Sequence, residues 1–225
     1  MISLDPIGRI YEDRDDAGRK LADALAGRAE GHPLVLAIPR GGIPVAAAVA
    51  RRLDADLDVV VVRKIGAPFQ PELAMGAVTS TGLVVLNEDL IRQTGVDPGA
   101  IRSETERERG EAQAREARLR EGRPRIDRHG RAVILVDDGL ATGATMRAAL
   151  RSVRAEHPSE VVVAVPVGSV EACADLREEG AEVVCLNTPE PFFAIGGYYA
   201  RFEQVSDEEA VRLLRGGRPA VAVAS

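Results

Sequence analysis

The sequence predicts an α/β fold in which a mostly parallel central sheet is flanked by helices. Three observations carry this expectation. Short β-branched runs recur along the chain, segments of helical spacing separate them, and no repeat or low-complexity tract interrupts the alternation. The 225 residues suit a single domain that buries roughly 70% of its unfolded surface, so a core of ordinary size can hold it without staples.

The apolar runs are LVLAI at 34–38, VVVV at 59–62, LVVL at 83–86, AVILV at 132–136, VVVAV at 161–165 and EVVCL at 182–186. Each is short and rich in valine, as a buried strand is. Helical spacing is found at about 15–26, 43–53, 99–121, 145–156 and 169–179. Residues 65–82 (IGAPFQPELAMGAVTSTG) carry glycine and proline at a density that suits a flexible loop or a β-arm, with a lid over a site as one use for it. Residues 102–121 hold six Arg and six Glu, with Glu111–Arg115 and Glu116–Arg120 at i, i+4. That stretch is expected as a self-supporting, solvated helix that buries little, or else as a partner surface. Gly122 and Pro124 end it. The last ten residues, GGRPAVAVAS, read as a fraying tail.

Charge and cysteine content narrow the function. A net charge of -6 disfavours a nucleic-acid partner held by bulk electrostatics. Cys173 and Cys185 are too few for a disulfide scaffold or a zinc cage, and structural thiols are expected. Neither a membrane span nor a signal-peptide pattern is found, so the expected location is the cytoplasm. The basic residues divide into 27 Arg and two Lys, Lys20 and Lys64.

In open parallel sheets ligands bind at the carboxyl ends of the strands, so these ends are the places to search. After AVILV comes Asp137-Asp138-Gly139-Leu140-Ala141-Thr142-Gly143-Ala144-Thr145, leading into a helix. Small residues leave the amides of a helix amino terminus unobstructed, and the dipole and unpaired donors there favour a phosphate. Two carboxylates just before such a nest would repel that phosphate at contact range. Their targets are then hydroxyls or a cation a few ångströms further on. A ribose 5-phosphate offers both ends. The segment lacks the GK[ST] of a triphosphate-binding loop and the GxGxxG of a dinucleotide fold. A receiver domain would need a late lysine, and none follows position 64.

VILVDDGLATGAT resembles the signature of the type I phosphoribosyltransferases: an apolar strand, two acids and a Gly/Thr loop. The resemblance spans roughly 30–190 and is closest to uncharacterised bacterial members. It implies that Asp137 and Asp138 hold the ribose hydroxyls of 5-phosphoribosyl 1-diphosphate, and that Ala141, Thr142, Gly143, Ala144 and Thr145 cradle its 5-phosphate. Pro39-Arg40-Gly41-Gly42-Ile43-Pro44 suits an anion by its freed amides and the Arg40 fork. It looks like the family's diphosphate loop, often built on a cis peptide. Arg63-Lys64-Ile65-Gly66 resembles the RKxG segment that faces the diphosphate in adenine and orotate enzymes, and a surface Arg-Lys pair is the alternative. Lys64 is expected to be catalytic with Asp137 and Asp138. The family's further loop cation is missing, since 65–82 contains no Lys or Arg.

Five of seven aromatic residues, Phe192, Phe193, Tyr198, Tyr199 and Phe202, fall within eleven positions, where the family builds a hood (here about 186–205) over the base. Phe192, Phe193 and Tyr198 are expected to stack on the base, with a small hydrophobic cluster or a dimer contact as the other readings. Magnesium is expected as the cofactor, carried by the diphosphate and without direct protein ligands. The resemblance thus implies transfer to an unidentified base. The competing class is a sensor or regulator that reads a nucleotide or the donor in the same pocket.

Overall fold

A computed structural model describes residues 10–28 and 32–216. The first half of the chain folds as α1 (Arg14–Leu25), β1 (Leu34–Ala37), α2 (Gly42–Leu53), β2 (Asp56–Val59), β3 (Val62–Ala67), β4 (Gln70–Thr79), β5 (Val84–Leu86) and α3 (Glu88–Thr94). It continues with α4 (Pro98–Arg120), β6 (Ala132–Val136), α5 (Ala144–Arg154), β7 (Glu160–Val167), α6 (Val170–Glu178), β8 (Glu182–Asn187) and α7 (Asp207–Gly216). The tail read as fraying lies outside the described residues, apart from its first residue, Gly216. Among the described residues no helix is long and apolar enough to cross a membrane.

Five strands form one sheet in the order β2-β1-β6-β7-β8, all parallel. Period-two alternation divides its side chains between two cores. Val35, Ala37, Ile134 and Val136 meet α1, α2 and α7, whereas Leu34, Leu36, Val133 and Leu135 meet α5 and α6. Cys173 is buried in the second core with Cys185 packed against it, both as free thiols. Strand order reverses between β1 and β6, and Ala37 stands level with Val136. The loops that leave these two strands therefore emerge side by side, the position where open α/β sheets place a ligand.

Two apolar runs do not lie where the alternation predicts. VVVV is not one strand: β2 ends at Val59, the chain turns at the buried Val60 and Val61, and β3 begins at Val62. Because four valines contain no turn residue, the break leaves no mark in the sequence. LVVL supplies β5, the partner of β4 in a second, antiparallel sheet of order β3-β4-β5, with Val84 exposed. The 65–82 stretch is accordingly a β-arm and not an irregular loop. Ile65 pairs with Gly76 and Lys64 with Ala77, and a register shift at Gly66 accommodates the bend.

Helix α4 also departs from expectation. It is not merely solvated, since Ile101, Glu108, Ala112, Leu119 and Arg120 are buried. Buried charges must be partnered. Arg120 pairs at 2.7 Å with Asp58 of β2 and at 2.9 Å with Glu116, and Glu108 pairs at 2.7 Å with Arg63 of β3. Ile101, Glu108, Ala112 and Leu119 follow one another at spacings of seven and four residues and so share one face, but Glu108 and the adjoining Arg120 are charged, so hydropathy conceals the stripe.

Candidate functional site

The loop after β6 is fixed from beneath and open above. Leu140 donates its amide to the Val167 carbonyl at 2.9 Å, and Ser169 Oγ donates to the Ala141 carbonyl at 2.8 Å. Gly143 caps α5 with φ 74°, a left-handed conformation that a side chain would resist. Ala141, Thr142, Ala144 and Thr145 are exposed. Among the described residues no main-chain carbonyl accepts from the amides of Thr142, Gly143, Ala144 or Thr145. The helix start therefore presents unpaired donors at its positive end to solvent.

The two acids differ. Asp138 is 8% exposed, and its Oδ2 accepts from Arg14 Nε of α1 at 2.8 Å. The Arg14 guanidinium also lies 3.8 Å over the Phe202 ring and donates to the Glu203 carbonyl at 2.8 Å. Tyr199 Oη donates to the Asp138 carbonyl at 2.6 Å. Asp137 is half-buried, takes the Asp138 amide at 2.8 Å on Oδ1, and forms no ion pair among the described residues. Burial and the adjacent Asp138 carboxylate raise the Asp137 carboxyl well above the usual range. Burial raises Asp138 as well, against the pull of Arg14. As coupled neighbours the pair favours retaining a proton. Arg14 and Tyr199, which hold Asp138, carry no signal in the sequence. One is an arginine among 27 and the other sits in an aromatic cluster with several readings.

The Pro39–Gly42 turn runs alongside. Its Pro39–Arg40 peptide is cis, and Ile38 donates to the Val136 carbonyl at 2.9 Å. A Cβ on Gly41 would lie 2.0 Å from Asp138 Oδ2, and one on Gly42 would lie 2.8 Å from the Val136 carbonyl. Only glycines allow this approach, which sets the turn directly against the acid pair. Arg40 pairs at 3.2 Å with Asp207, the first residue of α7.

Arg63 and Lys64 do not stand at the carboxyl end of a core strand, as the VVVV run led one to expect. They lie within β3, where alternation sends neighbouring side chains to opposite faces. Arg63 turns to α4 and Glu108, while Lys64 is exposed. Both nonetheless line one cavity with Gly66, which Glu104, Arg107 and Glu108 of α4 close on the other side.

The segment after β8 covers the acid pair, as a hood would. Ile195 packs so closely on Gly139 that a Cβ there would meet its Cγ2 at 2.6 Å. Tyr198 corrects the stacking expectation. It is 1% exposed, in a cluster with Tyr11, Ala17, Val167 and Tyr199, and its ring lies 5.5 Å from that of Phe192. It holds the hood in place and cannot also stack on a base. Phe192 is half-buried against this cluster, and Phe193 is 65% exposed. The Ile10 and Tyr11 amides both donate to the Tyr198 carbonyl, at 2.9 and 3.0 Å, which ties the hood to the segment before α1.

Comparison with known proteins agrees with this geometry. The family model described as "Phosphoribosyl transferase domain" matches residues 9–199. A Mycobacterium tuberculosis H37Rv protein named "Putative phosphoribosyl transferase Rv0571c" is 48% identical over 206 residues, covering 92% of this chain and 46% of the relative. The chain thus spans about half the length of the curated relatives it matches. The crystal structure of TT1426 from Thermus thermophilus is 48% identical, with a TM-score of 0.80 over 91% of this chain and 97% of the other. A Neisseria gonorrhoeae protein solved with bound ppGpp shares the fold at 18% identity and a TM-score of 0.54, over 94% and 97% of the two chains. A β6 strand ending in two acids, an open helix start beside it and a glycine turn pressed against both coincide with a family match over most of the chain, and the chain belongs to the type I phosphoribosyltransferase family.

Proposed function

We propose that the chain transfers a phosphoribosyl group from 5-phosphoribosyl 1-diphosphate to a nitrogenous base or related acceptor, releasing diphosphate. One observation carries the reading. At the point where strand order reverses, an amide-lined helix start and a glycine turn flank a half-buried carboxylate, Asp137, that has no ion pair among the described residues. Two anion sites with an acceptor between them match a sugar phosphorylated at both ends.

In the reaction the bond from C1 to the diphosphate oxygen breaks and a bond from C1 to the acceptor nitrogen forms. Positive charge builds on the sugar and negative charge on the leaving group, so positioning and electrostatics are the protein's main tasks. Asp137 accepts from the ribose hydroxyls. Asp138 shapes that carboxylate's field and is itself held by Arg14. The amides and hydroxyls of 142–145 take the 5-phosphate. Arg40, the Gly41 and Gly42 amides and Arg63 offset the diphosphate charge. Magnesium would enter on the substrate's own diphosphate oxygens, without direct protein ligands. Such an ion supplies further neutralisation of the leaving group.

The test is calorimetric titration with the donor and magnesium. Asp137→Asn should weaken binding by about 2 kcal/mol, as loss of charged hydrogen bonds does. The single variant is preferred because a change at Asp138 would also break its pair with Arg14. Unchanged affinity rejects the assignment. Diphosphate release that depends on one base among a panel supports transfer, whereas binding with no release for any base supports a sensor.

A further inference from the structure

The β-arm carries no cation between 65 and 82, and a departing diphosphate builds negative charge that positioned cations offset. Helix α4 brings a candidate. Its Glu108 pairs with Arg63, and its Arg118 pairs at 3.2 Å with Asp207, the same carboxylate that holds Arg40 at 3.2 Å. Arg115 lies two turns beyond Glu108 and one turn before Arg118, between the two pairs and on the face they mark. Its Nε is buried without a hydrogen-bond partner, and among the described residues no carboxylate lies within ion-pair distance of it. The neighbouring carboxylates are taken by other guanidinia: Asp207 by Arg40 and Arg118, and Glu108 by Arg63 and by Arg107 at 2.6 Å. Burial, and then the nearby Arg40, with Arg63 and Arg118 behind it, weaken the hold of Arg115 on its proton against the opposing pull of Asp207. Such a group is costly unless an anion arrives to meet it.

We propose that Arg115 is a third cation of the diphosphate subsite, joining Arg40 and Arg63, and that Asp207 is an internal counter-ion which the incoming diphosphate displaces from Arg40. The inference rests on the assignment of the Pro39–Gly42 turn to diphosphate. Arg115 then acts only on ligands that bear the diphosphate, and Asp207 competes with them.

Inorganic pyrophosphate with magnesium, and separately ribose 5-phosphate, are titrated calorimetrically into the full chain. Arg115→Gln should weaken pyrophosphate by about tenfold or more, the scale of a lost charge-assisted hydrogen bond, and leave ribose 5-phosphate unchanged. Asp207→Asn should strengthen pyrophosphate binding several-fold, a gain that misfolding cannot produce. Equal pyrophosphate affinity in Arg115→Gln and wild type, a parallel loss of ribose 5-phosphate binding in that variant, or no gain in Asp207→Asn overturns the inference. Pyrophosphate binding by the wild type with no binding of ribose 5-phosphate would sink the transferase reading and leave the arginine site standing.

Discussion

Replacing Arg14 by alanine isolates the contact that makes the acid pair asymmetric. Arg14 Nε meets Asp138 Oδ2 at 2.8 Å with both side chains 11% exposed. Removing one partner of a buried pair costs about 3–5 kcal/mol because the other charge is stranded. The lower end applies here, since Asp138 can relieve the loss by taking a proton. The stacking on Phe202 adds about 0.5–1 kcal/mol and the bond to the Glu203 carbonyl about 1 kcal/mol. A total of about 4.5–5 kcal/mol is expected at pH 8 by urea denaturation. The deficit should vary with pH in a defined direction. Without Arg14 the folded-state affinity of Asp138 for a proton rises further, so the folded variant binds a proton that the unfolded chain has released. Its stability then falls faster than that of wild type as pH climbs from the ordinary carboxylate range, and the deficit at pH 5 should be the smaller one. In Arg14→Ala with Asp138→Asn most of the pH dependence should vanish. A deficit below about 1 kcal/mol, or one identical at both pH values, refutes the claim that Arg14 neutralises a buried charge.

Two further outcomes follow from the site. The acid pair has folded affinities for protons raised by burial, and only an ionised carboxylate fully accepts from ribose hydroxyls, so donor binding should tighten as pH rises and should release protons. Calorimetry in buffers of different ionisation enthalpy measures that release, and net proton uptake contradicts it. In the hood, Tyr198→Ala should cost about 3–5 kcal/mol in thermal or urea unfolding because the ring is fully buried. Phe193→Ala, at an exposed position, should change stability by less than about 0.5 kcal/mol. Comparable losses for the two would show that the hood is packed differently.

The core of this fold is legible in the sequence because its strands are continuous valine-rich runs and its helices repeat at ordinary spacing. The loop 137–145 is legible for a local reason: its two acids, its glycines and its hydroxyls lie within nine consecutive positions. What escapes is long-range. The break at Val60 and Val61 depends on a second sheet forming elsewhere, and a run of identical residues cannot announce it. Arg14 meets Asp138 across 124 positions and Tyr199 meets it across 61, so neither spacing has a period to detect. Hydropathy misplaces α4 since its buried positions include Glu108 and Arg120, whose partners on β3 and β2 are invisible until the sheets are assembled. The aromatic cluster shows the converse limit. Composition locates it, but only packing separates Tyr198, which is structural, from Phe193, which faces solvent.

The tie between the hood and the segment before α1 has a consequence for how the protein is made. Arg201 reaches Glu12 across 189 positions, and Ala200 donates to the Tyr11 carbonyl at 2.8 Å. On a ribosome the segment before α1 must wait for the 189 positions between Glu12 and Arg201 to be translated before its mate appears. Closure of so long a loop is slow relative to local folding. Nascent chains halted before residue 198 should therefore contain the parallel sheet yet leave the acid pair uncovered, so that the hood closes only after the strands beneath it have paired.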